Sequence, residues 1–151
     1  MTEPTPNTAN TEHYCKLERM YLSAPINAFY SPAIWVRDGE AEITVAVKPE
    51  FLHAADAVHG SVYFKLLDDA AFFAVNSLVE EHFVLTASFT TYLLRPISEG
   101  TMKATGKVVY AAGRSFVAES VVEDGEGNEI ARGSGNFVVS KIKLNADVGY
   151  R

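Results

Sequence analysis

Two adjacent carboxylates, Asp68 and Asp69, stand in the middle of a segment whose composition favours a helix. The segment runs from about Ser61 to Leu78, contains neither Gly nor Pro, and is rich in Ala, Leu and Phe. At 100° per residue, Asp69 falls on a narrow polar stripe four residues after Lys65, together with Asn76. A helical ion pair worth a few tenths of a kcal/mol explains Asp69 without any function.

Asp68 falls off that stripe, with Phe64 and Phe72 four residues to either side. Burial among such side chains would raise the pKa of its carboxyl group and would suit it to act as a base near neutral pH. A structural aspartate that bonds a backbone amide across an interface explains the same pattern equally well. The pattern therefore predicts a buried aspartate and leaves its role open.

The helix begins at His59-Gly60-Ser61, where we expect Gly60 or Ser61 to be the cap. The free amides and the positive dipole end of a first helical turn can stabilise a developing oxyanion. Nine residues separate His59 from Asp68, a rise of roughly 13 Å, so both cannot act on one carbonyl from the same helix. We therefore predict a homo-oligomer, at least a dimer, whose site combines two subunits.

The remaining segments predict an α+β fold. A short helix is expected from Thr11, a hairpin of two strands over 34–47, and four strands after the long helix, in which Phe83, Leu85, Ala87 and Phe89 alternate with polar or smaller residues. A curved antiparallel sheet wrapped around the long helix explains this order, and small residues recur where the helix would approach the sheet, namely Ala104/Gly106, Ala118/Ser120 and Ala131/Gly133/Gly135. We assign residues 1–10 to a flexible leader, 11–140 to one domain and 141–151 to a C-terminal tail.

Composition limits the classes of partner. The formal charge is −6 and no run of Lys or Arg would follow a phosphate backbone, so nucleic acid is not expected as a partner. The single Cys15, a polar start without a signal peptide and charges that interrupt the apolar segment predict a cytoplasmic protein that does not interact with membranes. The four histidines lack the spacing of metal ligands, so we expect no metal.

The stretch 58–70 resembles the HGG-x6-D-x-A signature of the phenylacetic-acid-type hotdog thioesterases, with His59, Gly60, Asp68 and Ala70 at the signature positions. Leu94-Arg95-Pro96, Gly113-Arg114 and 131–135 extend the likeness, which covers about residues 26–140. The resemblance implies a hotdog fold and hydrolysis of a small or medium acyl- or aryl-CoA thioester without a metal or organic cofactor. It also implies a homodimer, in the preferred version a dimer of dimers.

The resemblance also implies roles for residues. Asp68 would be the nucleophile or the general base, and Gly60 would begin the helix whose amides polarise the carbonyl from another subunit. His53 occupies a place where the family often has Asn, Ser61 replaces the second Gly of the signature, and Thr86 matches a hydroxyl beside the carboxylate. We count His53 and His59 with the catalytic candidates, and Ser61, Thr86, Arg95 and Arg114 as substrate-binding candidates, the two arginines for CoA phosphates.

Two other functions fit a hotdog domain. One is a non-catalytic acyl-CoA binder that serves as a sensor or accessory subunit, and the other is a dehydratase of hydroxyacyl thioesters. The presence of Asp68 argues against the sensor. The position of the acid on the helix, after a motif that begins with histidine, argues against the dehydratase. The sequence does not identify the acyl group, nor does it choose between CoA and a carrier protein as the thiol.

Overall fold

The structure, a computed structural model, describes residues 8–151. Its main elements are three α-helices and six strands, with short 3-10 turns at Pro49–Phe51 and Ala146–Val148. The helices and strands are, in order, α1 (Thr8–Ser23), α2 (Asn27–Tyr30), β1 (Ala33–Arg37), β2 (Glu40–Ala46), α3 (Gly60–Asn76), β3 (His82–Leu93), β4 (Thr101–Ala112), β5 (Ser115–Glu123) and β6 (Glu129–Lys143). The predicted α+β class and the predicted order of the main elements are confirmed.

The element limits differ from the predicted ones mainly at the two ends of the chain. Helix α1 begins at Thr8 rather than Thr11, so residues 8–10, which the sequence assigns to the leader, are helical. Residues 1–7 of that leader lie outside the described residues. Strand β6 continues to Lys143, so residues 141–143, which the sequence assigns to the C-terminal tail, are part of the sheet. Leu144 N then donates to Glu81 O at 3.0 Å.

All six strands form one antiparallel sheet in the order β1-β2-β4-β5-β6-β3. Helix α3 contacts β2 to β6, and ten of its seventeen residues are buried. The two edges of the sheet are the five-residue β1 and the twelve-residue β3. The predicted arrangement of a sheet wrapped around one enclosed helix is therefore confirmed.

Small residues allow the close approach of α3 to the central strands. A β-carbon at Gly106 would lie 2.3 Å from the carbonyl oxygen of Ala70, closer than any packing tolerates. Ser120 donates its hydroxyl to Leu67 O at 2.8 Å. Ala104, Ala118 and Ala131, three of the small residues noted in the sequence, are fully buried.

Gly133 and Gly135 make room for a ring of the sheet, that of Phe89, and not for the helix backbone as the sequence suggests. A β-carbon at either glycine would lie within 2.4–2.5 Å of the Phe89 ring rather than against the helix backbone. The register pairs Phe89 with Gly135, so the ring lies over both glycines, and its other side meets Phe64 of α3 edge-on at 5.7 Å between centroids. An aromatic ring therefore fills the space that the missing side chains leave.

The predicted polar stripe on α3 is wrong for Asn76. This side chain is fully buried, where its Nδ2 donates to Val79 O and His82 O at 3.0 Å each and its Oδ1 accepts from Val84 N at 3.1 Å. Asn76 thus joins the end of α3 to the start of β3, because an amide can satisfy three backbone groups of the connecting turn at once.

The described chain, residues 8–151, contains no helix that is long and apolar enough to span a membrane.

Candidate active site

Asp68 lies half-buried on α3 beside the first part of β3. Thr86 donates its hydroxyl to Asp68 Oδ1 at 2.8 Å. Burial is the largest influence on the carboxyl group and raises its pKa from 3.8 to about 6; Thr86 and Lys65 lower the pKa, whereas the negative charge of Asp69 raises it. A carboxylate with this pKa is ionised at neutral pH and is a stronger base than an ordinary aspartate.

Asp69 belongs to a separate network. Its Oδ2 accepts from Lys65 Nζ at 2.5 Å and from the Tyr21 hydroxyl at 2.7 Å, and Lys65 Nζ lies over the rings of Tyr21 and Tyr30 at 5.2 and 4.8 Å from their centroids. The ion pair predicted from the four-residue spacing is confirmed. The polar stripe does not face open solvent at this pair, because Tyr21 of α1 and Tyr30 of α2 lie against it and the side chains of Lys65 and Asp69 are only 11% and 19% exposed.

The N-terminus of α3 is capped by His59, not by Gly60 or Ser61 as the sequence suggested. His59 Nδ1 accepts from Ser61 N at 3.1 Å and lies 2.7 Å from Ser61 Oγ. The helix begins at Gly60, so the residue before it is the one whose side chain can reach the first-turn amides. With Nδ1 accepting, the neutral imidazole carries its proton on Nε2. Among the described residues, the Gly60 amide donates to no acceptor, so it is available to an oxyanion.

A cavity of about 420 Å³ lies in front of this helix end. His53, His59, Gly60 and Arg95 line it. His53 Nδ1 accepts from Ala55 N at 3.0 Å, which orients the ring. A β-carbon at Gly60 would lie 2.9 Å from Leu93 Cδ1, so glycine keeps this cavity open.

A second and larger cavity, of about 800 Å³, contains Asp68 and Thr86. Six of the eight predicted site residues are therefore divided between two cavities, with Asp68 and Thr86 in the larger one and the other four in the smaller one. Ser61 and Arg114 line neither of these two. Ser61 instead completes the cap of α3. Arg114 lies in the turn between β4 and β5, where its Nη2 donates to Val139 O of β6 at 3.1 Å.

Sequence reasoning missed Tyr21 and Tyr63 beside these cavities. In the sequence, Tyr21 belongs only to the apolar face of α1, yet it bonds Asp69 from across the fold. Tyr63 donates its hydroxyl to the backbone oxygen of Arg95 at 2.9 Å, and this bond fixes the chain along the smaller cavity. Within residues 8–151, no three His, Cys, Asp or Glu side chains are grouped closely enough to hold a metal ion.

A family model described as "Thioesterase superfamily" matches residues 56–131, half of the 151-residue chain. The chain belongs to this superfamily. It is accordingly a thioester hydrolase. The matched residues include α3 with Asp68, the helix cap and the strands β3, β4 and β5. A comparison of the thioesterase sequence with curated proteins gives no significant match.

Solved structures share the fold over most of the chain. The Escherichia coli PaaI protein from the phenylacetic acid degradation operon has a TM-score of 0.82 and 20% identity, covering 90% of this chain and 99% of that one. A mutant form of the phenylacetic acid degradation protein PaaI from Thermus thermophilus has a TM-score of 0.70 and 20% identity, covering 76% of this chain and 98% of that one. A mutant thioesterase from Staphylococcus aureus has a TM-score of 0.74 and 14% identity, covering 78% of this chain and 99% of that one. The resemblance to the hotdog thioesterases is thereby confirmed.

Proposed function

We propose that the protein hydrolyses small or medium acyl- or aryl-CoA thioesters with Asp68 as its catalytic carboxylate. The observation that carries this proposal is the environment of Asp68. Its carboxylate has a pKa raised to about 6, accepts a hydrogen bond from Thr86, and lines a cavity of about 800 Å³. The neighbouring Asp69 already accepts hydrogen bonds from Lys65 and Tyr21, so Asp68 is the carboxylate that can act as base or nucleophile.

The chemistry needs one base and one oxyanion donor. In the general-base route, Asp68 takes a proton from water, the resulting hydroxide bonds to the thioester carbon, and the C–S bond breaks as the thiolate leaves and is protonated. In the nucleophilic route, an Asp68 oxygen bonds to the same carbon, the C–S bond breaks as the thiolate leaves and is protonated, and water then hydrolyses the mixed anhydride, which releases the acyl group as a carboxylic acid and restores Asp68. In both routes the amide of Gly60 stabilises the negative carbonyl oxygen, and His59 Nε2–H is a second donor at the same helix end.

The two parts of the site meet only if two subunits pair. Strand β3 passes both cavities: Thr86 bonds Asp68 in the larger one, and Leu93 lines the smaller one beside Gly60. As an edge strand of twelve residues, β3 presents a long row of backbone groups for pairing. An antiparallel pair of β3 strands centred between Phe89 and Thr90 would set Thr86 of one subunit opposite Leu93 of the other. Each Asp68 would then face the Gly60 amide of its partner.

The catalytic role of Asp68 is tested by Asp68→Asn. The amide keeps the shape and can still accept from Thr86, but it neither attacks nor takes a proton. We expect kcat for acyl-CoA hydrolysis, measured as thiol release, to fall by about a hundredfold or more with nearly unchanged substrate binding. Because two of the similar structures carry phenylacetic acid in their names, the panel includes phenylacetyl-CoA beside straight-chain acyl-CoAs. Wild-type turnover in Asp68→Asn would eliminate the mechanism.

The shared site is tested by mixing two inactive variants. Asp68→Asn lacks the base, and Gly60→Val fills the space in front of the helix amide, towards Leu93. If one site needs Asp68 from one subunit and Gly60 from the other, randomly mixed dimers should recover about a quarter of wild-type activity. The control is the double variant Asp68→Asn/Gly60→Val mixed with wild type, and light scattering reports the mass. No recovery after verified subunit exchange, or a fully active monomer, would refute the two-subunit site. A tetramer of two such dimers remains our preferred assembly.

A further inference from the structure

The cavity that contains Asp68 extends well beyond the carboxylate. Its volume of about 800 Å³ lies in the range of sites that enclose small organic ligands. It lies between the junction of α1 and α2, the outer face of α3, the start of β3 and the last residues of the chain. Its apolar lining includes Met20, Ile26, Phe72, Phe83, Leu85 and Ile142.

The charges in this cavity disfavour an anion. Three carboxylates, those of Asp68, Asp69 and Asp147, line it together with two basic side chains, those of Lys65 and Arg151. The ammonium group of Lys65 is already paired with Asp69 at 2.5 Å. The phosphates of a CoA, or an acyl group that ends in a carboxylate, would therefore meet excess negative charge here, whereas a neutral apolar group would meet aromatic and aliphatic side chains.

The wall formed by the C-terminal segment is held by specific contacts. The buried His13 lies 2.7 Å from the Tyr150 hydroxyl through Nδ1 and 2.9 Å from the backbone oxygen of Asn76 through Nε2. Gly149 has φ +86°, and a β-carbon there would lie 2.6 Å from Ser23 Oγ. The segment is thus fixed against both α1 and the end of α3, which makes the cavity a built feature of the fold.

We infer that this cavity is the acyl subsite and that it selects neutral, apolar acyl or aryl groups of medium size. The inference rests on the proposed function, because Asp68 marks the position of the thioester carbon. Ile26, Ile142 and the C-terminal wall lie outside the residues that match the superfamily, 56–131. The two terminal segments of this chain therefore contribute to the acyl preference together with Phe72, Phe83 and Leu85, while the reaction is set by the part that the superfamily shares.

The inference is tested by adding bulk inside and outside the cavity. Ile26→Trp narrows the cavity. Leu22→Trp is its matched control, because Leu22 stands four residues earlier, is similarly exposed and does not line the cavity. The substrates are acetyl-, octanoyl-, phenylacetyl- and succinyl-CoA. We expect wild-type kcat/KM to be highest for octanoyl- or phenylacetyl-CoA. Ile26→Trp should lower the ratio of octanoyl to acetyl kcat/KM by about tenfold or more, a size typical of hydrophobic pockets, and Leu22→Trp should keep the ratio.

A binding measurement separates this inference from the proposed function. Calorimetry of octanoyl-CoA with Asp68→Asn, alone and combined with Ile26→Trp, reports occupancy of the cavity without turnover, and we expect at least tenfold weaker binding in the combined variant. If wild type hydrolyses no thioester, the proposed function fails while this measurement still decides the subsite. If wild type hydrolyses all four substrates alike, prefers succinyl-CoA, or loses the same selectivity in Ile26→Trp and Leu22→Trp, the acyl subsite is refuted and the proposed function stands.

Discussion

Replacing Asp68 by Asn should make the protein more stable at neutral pH. Burial raises the pKa of Asp68 from 3.8 to about 6, so the folded state holds the ionised carboxylate at a cost that the unfolded chain does not carry. At about 1.36 kcal/mol per unit, a difference of about two units sets an upper limit of about 3 kcal/mol. Because the carboxylate is partly open to solvent, we expect Asp68→Asn to raise the free energy of unfolding by roughly 1–2 kcal/mol at pH 7.5.

The size of this stabilisation depends on pH. A raised carboxyl pKa lowers the stability of the folded state by the full amount at a pH above the pKa in the folded state, about 6. Below the pKa in the unfolded state, 3.8, it has no effect on stability. The stability gain of Asp68→Asn should therefore be largest above pH 6 and should vanish as the pH falls towards 4. Urea unfolding of wild type and variant at pH 7.5, 6.0 and 4.5 measures it, with equal m-values required for the comparison.

Asp69→Asn is the matched control and should have the opposite sign. It removes the charge that accepts from Lys65 and Tyr21, so we expect the free energy of unfolding to fall by about 1–3 kcal/mol at pH 7.5. This exceeds the few tenths of a kcal/mol that an exposed helical ion pair contributes, because α1 covers the pair. If Asp68→Asn is destabilising at pH 7.5, or if its effect does not change with pH, the burial argument for Asp68 is refuted.

Three further substitutions test single contacts. Thr86→Val removes the hydrogen bond that lowers the pKa of Asp68, so the acid limb of the pH profile of kcat/KM should move to higher pH. An unmoved limb would mean that Thr86 does not influence the group that acts as the base. His53→Asn should keep much of the activity, because an amide can still hydrogen-bond a carbonyl or a water; a loss of kcat/KM as large as that of Asp68→Asn would refute this supporting role of His53. Gly106→Ala should lower the free energy of unfolding by about 3 kcal/mol or more in chemical denaturation, because its β-carbon would lie 2.3 Å from Ala70 O; a neutral result would mean that α3 can move off the sheet.

The enclosed helix was predictable because its signal is local. A segment of seventeen residues with apolar side chains on nearly every face has few folded solutions other than burial inside a sheet. The separation of Asp68 from the helix start was equally local, since the rise of a helix is fixed. Both features depend only on residues that are neighbours in the chain, and these are the features that the structure bears out.

The environment of Asp69 was not predictable, because it depends on a residue 48 positions away in the sequence. A helical wheel places Asp69 near Lys65 and leaves the rest of the stripe facing solvent. Tyr21, on α1, covers that stripe and turns an exposed ion pair into a half-buried network. The same limit applies to Asn76, whose three backbone partners lie in the turn after α3 and on β3.

A bulge in strand β3 directs Thr86 towards Asp68, although simple alternation of inward and outward side chains would place Thr86 on the opposite face. The sequence pattern puts Phe83, Leu85, Ala87 and Phe89 on one face, yet Val84 is fully buried and Leu85 is 43% exposed, so the inward positions at the start of the strand are even-numbered. The register against β6 shifts between Thr86 and Ser88, and one extra residue in a strand exchanges the faces beyond it. Thr86 can therefore point to Asp68 while Phe89, three residues later, also points inward, over Gly135. Without this bulge, either the hydrogen bond to the candidate base or the ring over the glycines would be lost.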